Sequence, residues 1–193
     1  MYTSGDVEGV EAMVETTSCE PLGPVIIRAE GLVLREWRDG DRPAMVRLFD
    51  DPEIDRWTPL AHPFDATAAR VYLERARERR ERGTLQLAIT QGDDRPLGEV
   101  LLFPTGVEGV CELGYMLGAE HRGRSLARRA ISALMQYAAA WGYREARLTI
   151  AVGNTASEHV AHALDFEPTG EPDVREERKG RVLHLRSWRT TLA

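Results

Sequence analysis

The apolar positions of this chain follow two periods, and each period marks a different kind of segment. Apolar residues at helical spacing recur at 45–49, 65–82 and 125–141 and again from residue 154. Short runs of apolar and β-branched residues predict strands at 32–37, 85–90, 97–103, 110–117, 146–152, 166–174 and 182–188. Three consecutive strands in the middle form a predicted antiparallel meander, and the mixture of elements predicts an α+β domain.

Turn and cap residues set the predicted boundaries between these segments. Asp51-Pro52 ends the first helix, Asp65 begins the second as its N-cap, and residues 56–65 between them read as irregular. The second half of that helix, 74–82, is almost wholly charged, and its interleaved glutamates predict a solvated face. Residues 1–28 mix Gly, Pro, Ser, Thr and acidic residues without a period. We therefore expect a flexible N-terminal extension at 1–28 and a single domain at 29–193.

Composition and charge narrow the class of protein. The 193 residues carry a net charge of −6, so the chain has no general attraction to nucleic acid or to an anionic membrane, and it mildly favours a cationic substrate. No stretch of about 18 apolar residues is present to span a bilayer. Cys19 and Cys111 lie far apart outside any CxxC pair, which indicates a reducing, cytoplasmic setting. His159 and His162 lack a third metal ligand in the sequence, so we expect no metal.

A strand-to-helix connection at 120–127 is the sharpest local feature. Its sequence, Glu-His-Arg-Gly-Arg-Ser-Leu-Ala, stands where the free N–H groups and the positive dipole end of a helix bind phosphate. Arg122 and Arg124 add positive charge, and Gly123 permits close approach. An ordinary turn with solvated arginines is the alternative interpretation of this segment alone.

The surrounding residues resemble one known family. Arg122 to Ala127 is similar to the [QR]-x-x-G-x-[GA] pyrophosphate loop of the GCN5-related N-acetyltransferases (GNAT), with Ser125 in place of a glycine. The segment 111–117 looks like the strand before that loop, and 154–161 looks like the following motif of the branch that acetylates ribosomal-protein N-termini. The likeness spans about 32–188. Two further departures are Asp165, where the family usually has Gly, and Ala119, where Pro is common.

The resemblance implies a fold and a cofactor. The expected fold is a twisted mixed β-sheet of six to seven strands with helices on both faces, whose strands at 110 and 146 splay apart to admit pantetheine. The expected co-substrate is acetyl-CoA, without a metal, and the chain is expected to transfer acetyl directly to a primary amine on a protein N-terminus or a small molecule. A homodimer is possible in this family. The implied acetyl-CoA contacts are Met116, Leu117, Arg122, Gly123, Arg124, Ser125, Leu126, Ala127 and Asn154.

Acetyl transfer to an amine requires a base and a proton donor for the departing thiolate. Glu112 is the candidate base, because a carboxylate inside a strand is costly unless it is paired or used; a salt bridge or an exposed edge position is the alternative. Ser157 is the candidate acid, since Ala161 occupies the position where many members have Tyr. For Ser157 and Asn154 the alternative is plain helix capping. The candidate acceptor pocket consists of Trp57, His62, Phe64 and Tyr115, with core packing of the 56–65 connection as the alternative for its aromatic residues, Trp57 included.

Two other functions remain open at this point. Residues 123–127 match a relaxed nucleophile elbow, G-x-S-x-[GA], followed in order by Asp165 and His184, as in a serine hydrolase. The antiparallel strands before Ser125 and the missing oxyanion segment argue against that interpretation. A CoA-binding module that has lost turnover is the second alternative.

Overall fold

A single nine-stranded sheet forms the centre of the molecule. The structure, a computed structural model, describes residues 23–193. Its strand order is β1-β2-β3-β4-β5-β6-β9-β7, with β8 also paired to β9. The strands are β1 (Ile26–Ala29), β2 (Leu32–Glu36), β3 (Leu85–Thr90), β4 (Pro96–Pro104), β5 (Val110–Leu117), β6 (Glu145–Ala151), β7 (Glu167–Pro168), β8 (Val174–Arg178) and β9 (Arg181–Thr191).

The sheet confirms the predicted mixed, splayed architecture. Every neighbouring pair is antiparallel except β5 and β6, which are parallel. These two strands pair only from Val110 with Glu145 to Leu113 with Leu148, although β5 continues to Leu117 and β6 to Ala151. Beyond Leu113 the two strands therefore diverge, and the β6-facing edge of β5 carries unpaired backbone groups.

The prediction of six to seven strands was too low. A strand at Ile26–Ala29 pairs with β2, so the sheet begins before the boundary predicted at residue 29. The strand predicted at 166–174 is instead two short strands, β7 and β8, on either side of an irregular segment. The other residues of the predicted extension, 1–22, lie outside the described part of the chain.

Helices cover both faces of the sheet, as predicted. They are α1 (Arg42–Phe49), α2 (Pro52–Trp57), α3 (Ala66–Arg80), α4 (Leu126–Ala140) and α5 (Thr155–His162). One core lies between the sheet and α4 with α5, and includes Ile131, Leu134 and Phe166. The other lies under α1 and α3, and includes Met45, Phe49 and Phe64. Among the described helices, none combines the length and the apolar content that a membrane crossing requires.

Helix α2 replaces part of the segment expected to be irregular. Pro52 occupies its first turn, where a missing N–H costs nothing, and the Asp51 side chain accepts hydrogen bonds from the N–H groups of Glu53 and Ile54, both at 3.0 Å. Asp51-Pro52 thus ends α1 and begins a new helix. The turn between β8 and β9 reaches this helix, because Lys179 and Arg181 bind the Asp55 carboxylate at 2.6 and 3.0 Å.

Candidate active site

Two adjoining cavities open where β5 and β6 diverge. The larger, of about 480 Å³, lies against the start of α4 and one side of α5. The smaller, of about 280 Å³, lies over the β4 and β5 face that α3 flanks. Both are lined by the same residues at their junction, which are Trp57, Thr58, Tyr115, Met116, Asn154 and Ser157. The two cavities therefore meet at the divergent ends of the strands.

The loop before α4 presents a row of free backbone N–H groups to the larger cavity. Within residues 23–193, the N–H groups from Gly123 to Arg128 have no hydrogen-bond acceptor. Gly123 and Ser125 have positive φ values of 72° and 55°, which turn the chain into the helix, and a Cβ on Gly123 would meet nothing within 4 Å. Together with the helix dipole, these groups form a suitable cradle for a diphosphate.

The conformation of Ser125 explains why the motif it resembles has glycine there. A side chain at φ 55° is strained by contact with its own backbone, whereas glycine adopts this conformation freely. The Ser125 side chain makes no capping hydrogen bond to α4. Asp165, the other departure from glycine, also has a positive φ, of 57°.

The arginines of the loop differ from one another in their partners. Arg122 binds Asp51 at 2.6 Å and the Leu117 carbonyl at 3.1 Å, so it ties the loop to α2 and to the end of β5. Its guanidinium also holds the pKa of Asp51 below its usual range against the opposing effect of burial. Arg124 does not line either cavity in the described structure. Arg128, which sequence reasoning missed, lines the larger cavity together with His159.

The residues predicted to contact pantetheine lie on the divergent edge of β5. Met116 and Leu117 both line the larger cavity, and both lie in the part of β5 that has separated from β6. Leu126, Ala127 and Asn154, which were also predicted as acetyl-CoA contacts, line the same cavity. An extended thiol arm laid along this edge has unpaired main-chain donors and acceptors available to it.

Glu112 points into the smaller cavity from the face of β5. It is half-buried, and it lies opposite Arg147 in the parallel register. Arg147 binds Glu145 at 2.7 Å instead, and no described residue forms an ion pair or hydrogen bond with the Glu112 side chain. Glu112 therefore forms no salt bridge with a described residue, and its carboxylate is available to a ligand.

Two hydroxyl groups meet at the junction of the cavities. The Tyr115 hydroxyl donates to Ser157 Oγ at 3.1 Å, and the Ser157 N–H is held by the Asn154 side chain at 3.2 Å. Burial raises the pKa of Tyr115, and its hydrogen bond to Ser157 opposes that rise. Tyr115 and Ser157, predicted separately as a pocket residue and an acid, thus form one pair. Asn154 caps α5, as its capping interpretation predicted, and also lines both cavities.

The predicted acceptor residues separate into two groups. Trp57 lines both cavities, and its indole N–H donates to Glu53 at 2.9 Å. Phe64 is only 1% exposed and packs edge-on against Phe49 and Tyr72, so it belongs to the core. His62 is exposed and lies 3.7 Å from Asp50. Neither Phe64 nor His62 lines a cavity of the described structure, which corrects their assignment to the pocket.

Sequence reasoning missed a buried polar cluster behind the smaller cavity. Glu99 of β4 is fully buried and accepts hydrogen bonds from Trp37 at 2.7 Å and from Tyr72 at 2.5 Å; Gln86 in turn donates to the Tyr72 hydroxyl at 2.8 Å. Burial raises the pKa of Glu99 to about 7, and the surrounding donors oppose that rise. Tyr72 also lines the smaller cavity. Trp37, Tyr72 and Glu99 are far apart in sequence, so no local motif marks the cluster.

The sequence matches the acetyltransferase (GNAT) domain family over residues 31–167. The chain belongs to this family. A search of curated protein sequences finds no significant match. The predicted superfamily is thereby confirmed, and the protein is an acyltransferase.

Solved structures with the same fold include members of the branch that the motifs resemble. RimJ of Mycobacterium smegmatis, in complex with CoA-disulfide, is 19% identical with a TM-score of 0.74, and the match covers 87% of this chain and 86% of RimJ. RimL, a ribosomal α-N-protein acetyltransferase in complex with coenzyme A, is 20% identical with a TM-score of 0.76, over 87% and 98%. MccE, a self-immunity acetyltransferase in complex with acetyl-CoA and AMP, is 17% identical with a TM-score of 0.73, over 84% and 93%. At these identities the likeness establishes the fold.

The described structure argues against the alternative function of a serine hydrolase. The strands that precede Ser125 are antiparallel, and no hydrogen bond in the described structure joins Ser125, Asp165 and His184. Nor do three or more His, Cys, Asp or Glu side chains of residues 23–193 come together as metal ligands.

Proposed function

We propose that this acetyltransferase binds acetyl-CoA in the larger cavity and transfers the acetyl group directly to a primary amine in the smaller one. The observation that carries the proposal is the continuity of the two cavities. The free N–H cradle at Gly123 to Arg128 opens, through the gap between β5 and β6, onto the Tyr115–Ser157 pair and Glu112. The chain thereby offers one site for a diphosphate, one edge for a thiol arm and one chamber for an acceptor.

The proposed reaction uses a base on one side of the cavity junction and a proton donor on the other. The amine nitrogen forms a bond to the thioester carbonyl carbon, and the carbon–sulfur bond breaks. Glu112 accepts the proton lost by the amine, directly or through a water molecule, and the Tyr115–Ser157 pair supplies a proton to the departing thiolate. Such a division needs an unpaired carboxylate on one side and a hydroxyl donor on the other, and both are present.

Several features of the acceptor and the setting stay predictions. The smaller cavity, of about 280 Å³, suits a small amine or the first residue of a peptide. The reducing, cytoplasmic setting also stays a prediction. A homodimer is likewise a prediction.

The experiment is a thiol-release assay with acetyl-CoA and a panel of primary amines. General-base catalysis is typically worth on the order of 10²- to 10⁴-fold, so Glu112→Gln should lower kcat by that order while leaving acetyl-CoA affinity unchanged. Glu108→Gln, an exposed carboxylate on the connection between β4 and β5, is the matched control and should retain full activity. Unchanged kcat in Glu112→Gln would refute its role as base, and the absence of transfer to every amine would favour a CoA-binding module without turnover.

A further inference from the structure

The charges around the smaller cavity bear on which amines it accepts. Its wall carries two charged side chains in the described structure, Glu112 on β5 and Arg79 near the end of α3. Much of the remaining wall is apolar or aromatic, and it includes Leu60, Leu101 and Phe103. A small chamber with one acidic group, one basic group and apolar walls is complementary to a molecule that carries both charges itself.

Arg79 has no charged partner among residues 23–193. Three other arginines of α3 bind carboxylates of the protein: Arg70 with Glu74, Arg77 with Asp39, and Arg80 with Glu36. No described residue forms an ion pair or side-chain hydrogen bond with the Arg79 guanidinium. Arg79 lies two helical turns from Tyr72, on the same stripe of α3, and both residues line the cavity.

The Arg79 guanidinium is also close enough to the buried cluster to influence its charges. Burial raises the pKa values of Tyr72 and Glu99, and the positive charge of Arg79 opposes both rises. The Glu99 carboxylate accepts hydrogen bonds from Trp37 and Tyr72, and in the described structure it forms none with Arg79. The donor groups of the Arg79 guanidinium therefore remain available to a ligand in the smaller cavity.

We infer that the acceptor is a small zwitterionic amine, an amino acid or a short peptide, whose carboxylate binds Arg79 while its amine lies at Glu112. The inference rests on the proposed function of the same cavity. An arginine fork is suited to a carboxylate, because it can form two parallel hydrogen bonds with the two carboxylate oxygens. Diamines and other polycations are disfavoured, because a second positive charge would lie against Arg79.

The test compares matched probes that differ only in the carboxylate. Leucine and leucinamide, and phenylalanine and phenylalaninamide, are used as acceptors in the thiol-release assay. The wild-type protein should prefer each acid to its amide. A hydrogen bond to a charged group predicts that Arg79→Ala lowers kcat/KM for the acids on the order of 10- to 100-fold, mainly through KM, and leaves the amides unchanged. Arg79→Glu should reverse the preference. Arg75→Ala, an exposed arginine on the same helix that lines no cavity of the described structure, is the control and should behave like wild type.

The outcomes separate this inference from the proposed function. Equal losses for acids and amides in Arg79→Ala, a preference for amides, or failure to acetylate these probes while other amines are acetylated would each overturn the zwitterionic acceptor. Failure to bind acetyl-CoA or to acetylate any amine would contradict the proposed function itself. Arg79 is exposed on its helix, so thermal unfolding of both arginine variants should match wild type and confirm that the fold is retained.

Discussion

The buried Glu99 should make the stability of the protein depend on pH in a way that one substitution removes. Burial raises its pKa in the folded protein from 4.5 to about 7. A carboxyl group whose pKa is raised on folding stabilises the fold fully below the unfolded value, and that contribution is lost as the pH rises through the folded value. The affected range therefore runs from about pH 4.5 to about pH 7.

The size of the effect follows from the two pKa values. A rise from 4.5 to about 7 corresponds to roughly 3 kcal/mol in total. Between pH 5 and pH 8 the loss is roughly 2.5 kcal/mol, because a small part has already occurred by pH 5. Glu99→Gln has no proton to lose, so its stability should not contain this component. Other titrating groups contribute equally to both proteins and cancel in the comparison.

The assay is urea unfolding of wild type and Glu99→Gln at pH 5 and at pH 8. Relative to wild type, Glu99→Gln should gain roughly 2.5 kcal/mol in unfolding free energy on going from pH 5 to pH 8. Glu108→Gln, at an exposed position, should track wild type at both values. A difference between wild type and Glu99→Gln that stays constant with pH would refute the reasoning.

Three further predictions follow from backbone geometry and from the hydroxyl pair. Ser125→Gly should raise the unfolding free energy by about 1 kcal/mol in urea unfolding, because it relieves the strain at φ 55°, whereas Ser187→Gly in β9 should lower it. Gly98→Ala should destabilise the fold by about 3 kcal/mol or more, since its Cβ would lie 2.3 Å from the Met116 carbonyl oxygen. Gly114→Ala should cost much less in the same unfolding assay, because the atom nearest to its Cβ would be a Leu101 side-chain carbon at 3.5 Å. Tyr115→Phe and Ser157→Ala should each slow acetyl transfer. The double variant should be little slower than the slower of the two single variants, because the two hydroxyls act as a unit. Losses in kcat that multiply fully in the double variant would contradict this prediction.

Local patterns predicted the parts of the site that depend on a few neighbouring residues. The free N–H cradle follows from a glycine-containing connection placed before a long amphipathic helix, and Asp65 and Asn154 both cap their helices as expected. The branch-like segment 154–161 singled out Ser157 as a candidate acid, and the structure locates this residue at the cavity junction. Such features are encoded within a single turn of chain, so sequence is enough to find them.

Features that depend on distant packing were not predictable in this way. Trp57 and Phe64 are both aromatic and lie seven positions apart, yet one lines the cavities and the other is core, because α2 ends at Trp57 and the segment after it folds under α3. The charged half of α3 is mostly exposed, as predicted, but nothing in the sequence indicated that Arg79 also lines a cavity, which exists only once β4 and β5 are in place. Asp51-Pro52 was predicted only to end the first helix, and nothing local indicates the ion pair between Asp51 and Arg122.

The central claim is that the cradle before α4 holds acetyl-CoA, and isothermal titration of acetyl-CoA tests it most directly. Binding should be tight in wild type. It should be lost in Gly123→Glu, which places a carboxylate in the open space of the cradle, and weakened in Arg122→Ala, which unties the loop from α2 and β5. Arg75→Ala should bind as wild type does. Saturable binding by wild type that Gly123→Glu abolishes is the predicted result; no binding to wild type, or unchanged binding in Gly123→Glu, would contradict the account.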